Sequence, residues 1–156
     1  MSEKAVYLTA DGKQRFTAEL RELQTVRRPE VEERIRRAKE FTDTTNNAEY
    51  DEAKMEQAFV EGRILELDRL LASAQLIEDT PAQPDYVRLG AHITVVESDG
   101  TTETYYLVGS SEADPRKGLI SNESPIGRAL IGKRVGDAVT VVAPAGAFDL
   151  TITAIS

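Results

Sequence analysis

Two regimes of hydrophobic spacing divide the 156-residue chain. Phe16, Leu20, Leu23, Val31, Ile35 and Ala38 recur at threes and fours with one wider gap, as on one face of a helix. Val60, Ile64, Leu67, Leu71 and Ala74 alternate fours and threes, and Ala53 and Gln57 carry the same seam backwards. Glu61, Arg63, Glu66, Asp68 and Arg69 flank that stripe, as expected of an a/d-type seam. The first pattern predicts a helix over about Ala10 to Glu40, about 45 Å long, with Thr9 and Asp11 as candidate caps at its start. Pro29 falls inside it, which predicts a kink near Thr25 to Arg28. Two apolar stripes joined by a short turn bury each other, so the N-terminal part reads as an antiparallel coiled-coil hairpin.

Asp79-Thr80-Pro81-Ala82-Gln83-Pro84 breaks the helical pattern as a stiff linker. After it the period becomes that of strands. His92 to Val96 and Thr102 to Val108 are β-branched and aromatic runs around Ser98-Asp99-Gly100, a hairpin turn signal. Val139 to Val142 and Phe148 to Ile155 flank Pro144-Ala145-Gly146 in the same way. Between the pairs, Ser124 as cap, Pro125 as first residue and Gly132 as terminator frame a short helix. The fold class is therefore α+β. Residues 1–78 form the helical hairpin, 79–85 the linker, and 86–156 a small antiparallel sheet with one short helix.

Composition narrows the chemistry. A net charge of -8 argues against general binding to nucleic acid or membranes, because long-range attraction to phosphates needs a basic field. No cysteine is present, which removes disulfides, thiol catalysis and thiolate metal sites. Met1-Ser2-Glu3-Lys4 carries no apolar signal region and no apolar run approaches membrane-spanning length. A cytoplasmic protein without a membrane partner, a monomer, is expected. The single histidine, His92, lies in a strand pattern, and no Gly-rich phosphate loop, Ser-His-Asp set or histidine metal cluster can be assembled. No self-contained active site is visible in the sequence.

What remains is the hairpin's charge pattern. The stretch from Glu40 to Glu52 holds the acids Glu40, Asp43, Glu49, Asp51 and Glu52 and no Lys or Arg. Thr, Asp and Asn at Asp43 to Asn47 favour turns, so this is the tip. Before it, Arg27, Arg28, Arg34, Arg36, Arg37 and Lys39 outnumber Glu30, Glu32 and Glu33. Pairs such as Glu30–Arg34 and Glu33–Arg37 fit helix spacing, whereas Arg27, Arg28, Arg36 and Lys39 have no obvious partner. The simplest reading is solvated helix surface and a solvated turn. The alternative is a basic shaft that follows a nucleic-acid backbone, with a carboxylate at its end to meet a cation.

Val26-Arg27-Arg28-Pro29-Glu30, Asn47-Ala48-Glu49-Tyr50, Ala58-Phe59-Val60-Glu61-Gly62-Arg63-Ile64 and Ser124-Pro125-Ile126-Gly127-Arg128-Ala129-Leu130-Ile131-Gly132-Lys133 resemble the bacterial transcript cleavage factors of the Gre type, the GreA branch most closely. The resemblance runs in order over essentially the whole chain. It implies a coiled coil that enters the secondary channel of RNA polymerase and an FKBP-like C-terminal domain that docks at the rim through Ser124 and Pro125. It implies no cofactor of the chain's own. Asp43 and the residue three positions on would instead help hold a catalytic magnesium of the polymerase, which then cleaves its own backtracked RNA. Lys39 and Lys54 match the family's basic contacts to the nascent RNA 3' end. At the second tip position the family has Glu and this chain has Asn46, a neutral ligand in place of a charged one. That departure keeps a second reading open, a channel-occupying regulator with little or no cleavage stimulation. Two further readings are a peptidyl-prolyl isomerase, for which four Phe, five Tyr and no Trp leave little for a proline pocket, and a coiled-coil adaptor for an unrelated partner.

Overall fold

The computed structural model describes residues 6–40, 47–78 and 81–156. The chain divides into two compact units, Lys13–Ser73 on one side and Met1–Gly12 with Ala74–Ser156 on the other.

The first unit is the helical hairpin. Helix α1 spans Ala10–Glu22 and α2 spans Arg28–Glu40, and between them Leu23–Arg27 widens into a π-helical turn. Where the sequence led to a kink near Thr25 to Arg28, the structure has this π-helical turn. Pro29 has no N–H to donate and its ring crowds the carbonyl one turn back. A wider turn immediately before it absorbs both problems, with the Arg28 N–H donating to the Leu23 carbonyl. Helix α3, Ala48–Ser73, returns along α2. Val31 and Ile35 from α2 and Ala53, Val60 and Ile64 from α3 form the core, with Leu20, Leu23 and Tyr50 packed against it. Of the positions read from the sequence, Leu20, Leu23, Val31, Ile35, Ala53, Val60 and Ile64 form this seam, whereas Ala74 lies beyond α3, in a strand.

That strand, β2 (Ala74–Leu76), pairs in parallel with β1 (Val6–Leu8), Val6 opposite Ala74 and Leu8 opposite Leu76. Three-residue strands carry too little alternation to be recognised, and this pairing joins segments about seventy residues apart, so neither was legible. The remaining strands are β3 (His92–Glu97), β4 (Thr102–Val108), β5 (Leu119–Ser121), β6 (Ala138–Ala143) and β7 (Gly146–Ile155), in the spatial order β5-β4-β3-β7-β6. Neighbours are antiparallel except β5, which runs parallel to β4. Asp99 accepts from the Thr101 N–H at 2.9 Å and Gly100 takes φ +87°, which closes the β3–β4 hairpin where expected. Ile93, Val95, Leu107, Ile120, Val139, Val141, Leu150 and Ile152 fill one face of the sheet, and Leu130 of helix α4 (Pro125–Leu130) covers them.

A buried carboxylate secures the start of α1. Glu112, 8% exposed, accepts from the Thr9 N–H at 2.7 Å and from the Thr9 hydroxyl at 2.6 Å. The Thr9 oxygen in turn accepts from the Gly12 N–H at 2.9 Å, so Thr9 is the helix cap and Glu112 fixes the cap. A methyl group at Gly12 would overlap the Glu112 carboxylate. Among the described residues, no helix is long and apolar enough to cross a membrane.

Candidate functional site

The two helix ends that flank the tip are held by one side chain. Asn47 precedes α3, and its Oδ1 accepts from the Tyr50 N–H at 3.1 Å while its backbone carbonyl accepts from the Asp51 N–H at 3.1 Å. This is an N-cap. The Asn47 Nδ2 donates at 2.7 Å to the carbonyl of Ala38 in the last turn of α2, where carbonyls run out of partners within the helix. Ala38 and Ala53 are both buried there, and Tyr50 packs on the hairpin core. Asp43 and Asn46, the two expected tip ligands, lie outside the described residues. Lys39 sits at the second-last position of α2 and Lys54 on the second turn of α3, both exposed. Lys54 donates to Gln57 Oε1 at 3.0 Å. Glu49, Asp51 and Glu52 are exposed on the opening turns of α3. Among the described residues, no group of three or more His, Asp or Glu could hold a metal ion.

The arginines of the shaft are not bare, which corrects the sequence reading. Arg27 pairs with Glu30 at 3.3 Å and with Glu56 of α3, and Arg34 reaches the same Glu56 rather than Glu30. Arg28 makes a bidentate pair with Glu61, Nε to Oε1 at 2.7 Å and Nη2 to Oε2 at 2.9 Å. Arg36 bonds Glu33 at 2.6 and 2.9 Å and Glu40 at 2.6 Å, and Arg37 shares Glu33 at 3.1 Å. Only Glu33–Arg37 was among the pairs named from spacing. The cross-helix pairs were missed because Glu56 and Glu61 lie on the opposite helix, beyond the reach of an i,i+4 search. Electrostatics follow the geometry. Hydrogen bonds from Arg36 hold the Glu33 carboxyl at about 2, well below its ordinary 4.5. The Arg28 bond lowers Glu61, and the same bond raises Arg28.

In the other unit, Ser124 Oγ accepts from the Gly127 N–H at 3.1 Å and donates to the Ser121 carbonyl at 2.7 Å, so it caps α4 and ties it to the end of β5. Gly127 is required there, since a side-chain carbon would overlap the Ser121 carbonyl. Pro125 opens the helix and is exposed. His92 is exposed and stacks on Tyr106 with ring centroids 4.4 Å apart, a surface aromatic pair.

Residues 6–76 match the family model described as "Transcription elongation factor, N-terminal", and residues 82–156 match "Transcription elongation factor, GreA/GreB, C-term". The chain belongs to the GreA/GreB family of transcription elongation factors. A curated GreA from Chloroflexus aggregans is 52% identical over 153 residues, covering 97% of this chain and 98% of that one. A GreA from Bacillus licheniformis is 51% identical over 155 residues, covering 99% and 98%. Among solved structures, the GreA factor homolog 1 (Gfh1) protein of Thermus thermophilus is 28% identical with a TM-score of 0.46, covering 98% of this chain and 99% of that one. GreA/GreB membership makes the hairpin and the α4 region the places to look for function. Sequence reasoning reached both. The sequence placed Asn47 in the turn between the helices; neither its cap on Tyr50 nor its bond to Ala38, nine positions back, was read there.

Proposed function

We propose that this GreA/GreB chain binds RNA polymerase and inserts its hairpin into the secondary channel, where the tip promotes cleavage of backtracked RNA and so restarts arrested complexes. The observation that carries this reading is the match of both family models in order along the chain. The chain is not itself the catalyst in this scheme. Asp43 would lend a carboxylate, a hard oxygen ligand suited to magnesium, to an ion that belongs to the polymerase. Such an ion supplies Lewis-acid activation of water and stabilises a leaving oxygen. Asn46 would contribute a neutral oxygen beside it, and Lys39 and Lys54 would face the nascent RNA 3' end. The start of α4, with half-buried Ser124 and exposed Pro125, would bind the channel rim. The chain would act as a monomer in the cytoplasm.

Asn46 favours a second reading, in which the chain occupies the channel with weak or no cleavage stimulation. RNA cleavage in a stalled, backtracked elongation complex separates the two. Under the first reading the parent accelerates cleavage, and Asp43→Asn abolishes that acceleration while still competing for the channel. Asn46→Glu then raises the rate about 10- to 100-fold, since one charge-assisted ligand is worth about 1.5–3 kcal/mol. A parent that competes for the channel without accelerating cleavage establishes the second reading. A parent that does neither overturns both.

A further inference from the structure

Helix α3 carries two seams, and the hairpin uses one of them. The face with Ala53, Val60 and Ile64 is buried in the hairpin core. On the opposite face Asp51, Met55, Ala58, Gly62, Leu65 and Arg69 alternate fours and threes, the spacing of a helix that packs on another helix. All six are exposed, Met55 at 74% and Leu65 at 50%, and Phe59 beside them is 72% exposed. Single exposed apolar residues are ordinary, but three large ones within three turns of one helix side form a patch. Gly62 adds an independent sign. Glycine weakens a helix interior, yet a Cβ at Gly62 would meet nothing within 4 Å. No described neighbour therefore asks for glycine in the middle of α3, whereas a second helix backbone approaching this face would use the notch.

The seam is its own complement. Two copies of α3 laid antiparallel about a two-fold axis at position 60 set Ala58 against Gly62, Met55 against Leu65 and Asp51 against Arg69, each pair occurring twice. Phe59, one residue from the axis, then meets its own copy, as an aromatic anchor at the centre of an interface. A parallel pair would bring Asp51 against Asp51 and Arg69 against Arg69, so charge selects the antiparallel one. Among the described residues neither the Asp51 carboxylate nor the Arg69 guanidinium has an ion-pair partner. They stand about 27 Å apart along one helix, too far to pair within a chain. The flanking Glu61 and Arg63 are already held by Arg28 and Glu19 of the same hairpin, so they do not compete. We propose that the outer face of α3 is a self-association surface through which two chains pair as an antiparallel α3–α3 dimer. The single chain remains the form that acts in the proposed function. Pairing covers one face of its hairpin and so holds the chain in reserve.

The test is sedimentation equilibrium of the free full chain at concentrations up to about 1 mM, which reaches weak association. The expected result is a reversible equilibrium between one chain and two. Phe59→Glu should raise the dissociation constant about 30-fold or more, the loss of a central aromatic anchor. Gly62→Ala should also weaken pairing, yet raise the melting temperature of the dilute single chain, because alanine fills the notch and favours the helix. The decisive arm is charge exchange. Asp51→Arg and Arg69→Asp should each weaken pairing about 10-fold. An equimolar mixture of those two variants should recover it, because each chain then meets its complement in the other. A parent that stays a single chain throughout overturns the proposal. So does a mixture that associates no better than its components, since that removes the antiparallel register. If Phe59→Glu lowers affinity for RNA polymerase while the parent stays a single chain, the face belongs to the polymerase and the proposal falls too. None of these results bears on the tip, whose role is judged separately by RNA cleavage with the parent chain.

Discussion

At the scale of single residues, the molecule repeatedly uses one polar side chain to serve two segments. Asn47 joins two helix ends, Ser124 caps α4 while bonding to β5, and Glu112 holds the capping threonine of α1. The Glu112 arrangement gives a test by non-additivity. Deleting its carboxylate leaves two Thr9 donors without their charged acceptor in a half-buried site, so Glu112→Ala should cost about 2 kcal/mol. Gly12→Ala places a methyl group against that carboxylate and should cost about 1–3 kcal/mol by overpacking. Combined, the two changes should cost clearly less than their sum, since truncation at position 112 leaves room for the methyl group. Urea denaturation of the parent, both single variants and the double variant measures this. Strict additivity would show that the two residues do not press on each other.

At the scale of elements, what could be read from the sequence was whatever has a period or a local signal. The α3 seam at Ala53, Val60, Ile64 and Leu67, the β3–β4 hairpin around Asp99-Gly100 and the Ser124-Pro125 helix start all declare themselves within a short window of sequence. The parallel β1–β2 pair, the short β5 strand, the π-helical turn before Pro29 and the Glu56 and Glu61 bridges do not, because each depends on a partner far away in sequence or on relief of local strain. The candidate site divides in the same way: a Lys39 on helix surface, a turn ending at Asn47 and a helix start at Pro125 were legible, whereas the Asn47 cap and its cross-turn bond to Ala38 were not. Within α2, the Glu33–Arg36–Arg37 cluster makes a prediction about pH. Glu33 titrates at about 2 in the folded chain against an ordinary 4.5. Its stabilising effect is therefore complete above about pH 4.5 and is lost as the pH falls towards 2. The group is exposed, so the effect should be small and should shrink in high salt. Thermal melts followed by helical circular dichroism should show the parent losing more stability than Glu33→Gln across that window. Superimposable curves would mean that the cluster contributes nothing in solution.

At the scale of the whole molecule, the charge distribution decides how nucleic acid can be engaged. The chain carries -8 overall, and Arg27, Arg28, Arg34, Arg36 and Arg37 are each bonded to a glutamate. A cation already paired with a carboxylate releases little on meeting a phosphate, so the shaft should not bind RNA by itself. Exposed Lys39 and Lys54 could still contribute once docking raises their local concentration to the millimolar range, where weak interactions suffice. Under the proposed function, polymerase would be recognised as a protein first and its RNA met second. The prediction is that the free chain binds single-stranded RNA no better than a Kd of about 100 μM at physiological salt. Replacing Glu56 and Glu61 together by Gln frees Arg27, Arg28 and Arg34 from their cross-helix partners. That variant should bind about 10-fold more tightly, and its salt dependence should steepen by about 0.7 for each additional phosphate engaged. Fluorescence anisotropy across a salt series reads both quantities. Tight, steeply salt-dependent binding by the parent would show that the glutamates do not screen the arginines, and a variant indistinguishable from the parent would show that the arginines were never held back by them.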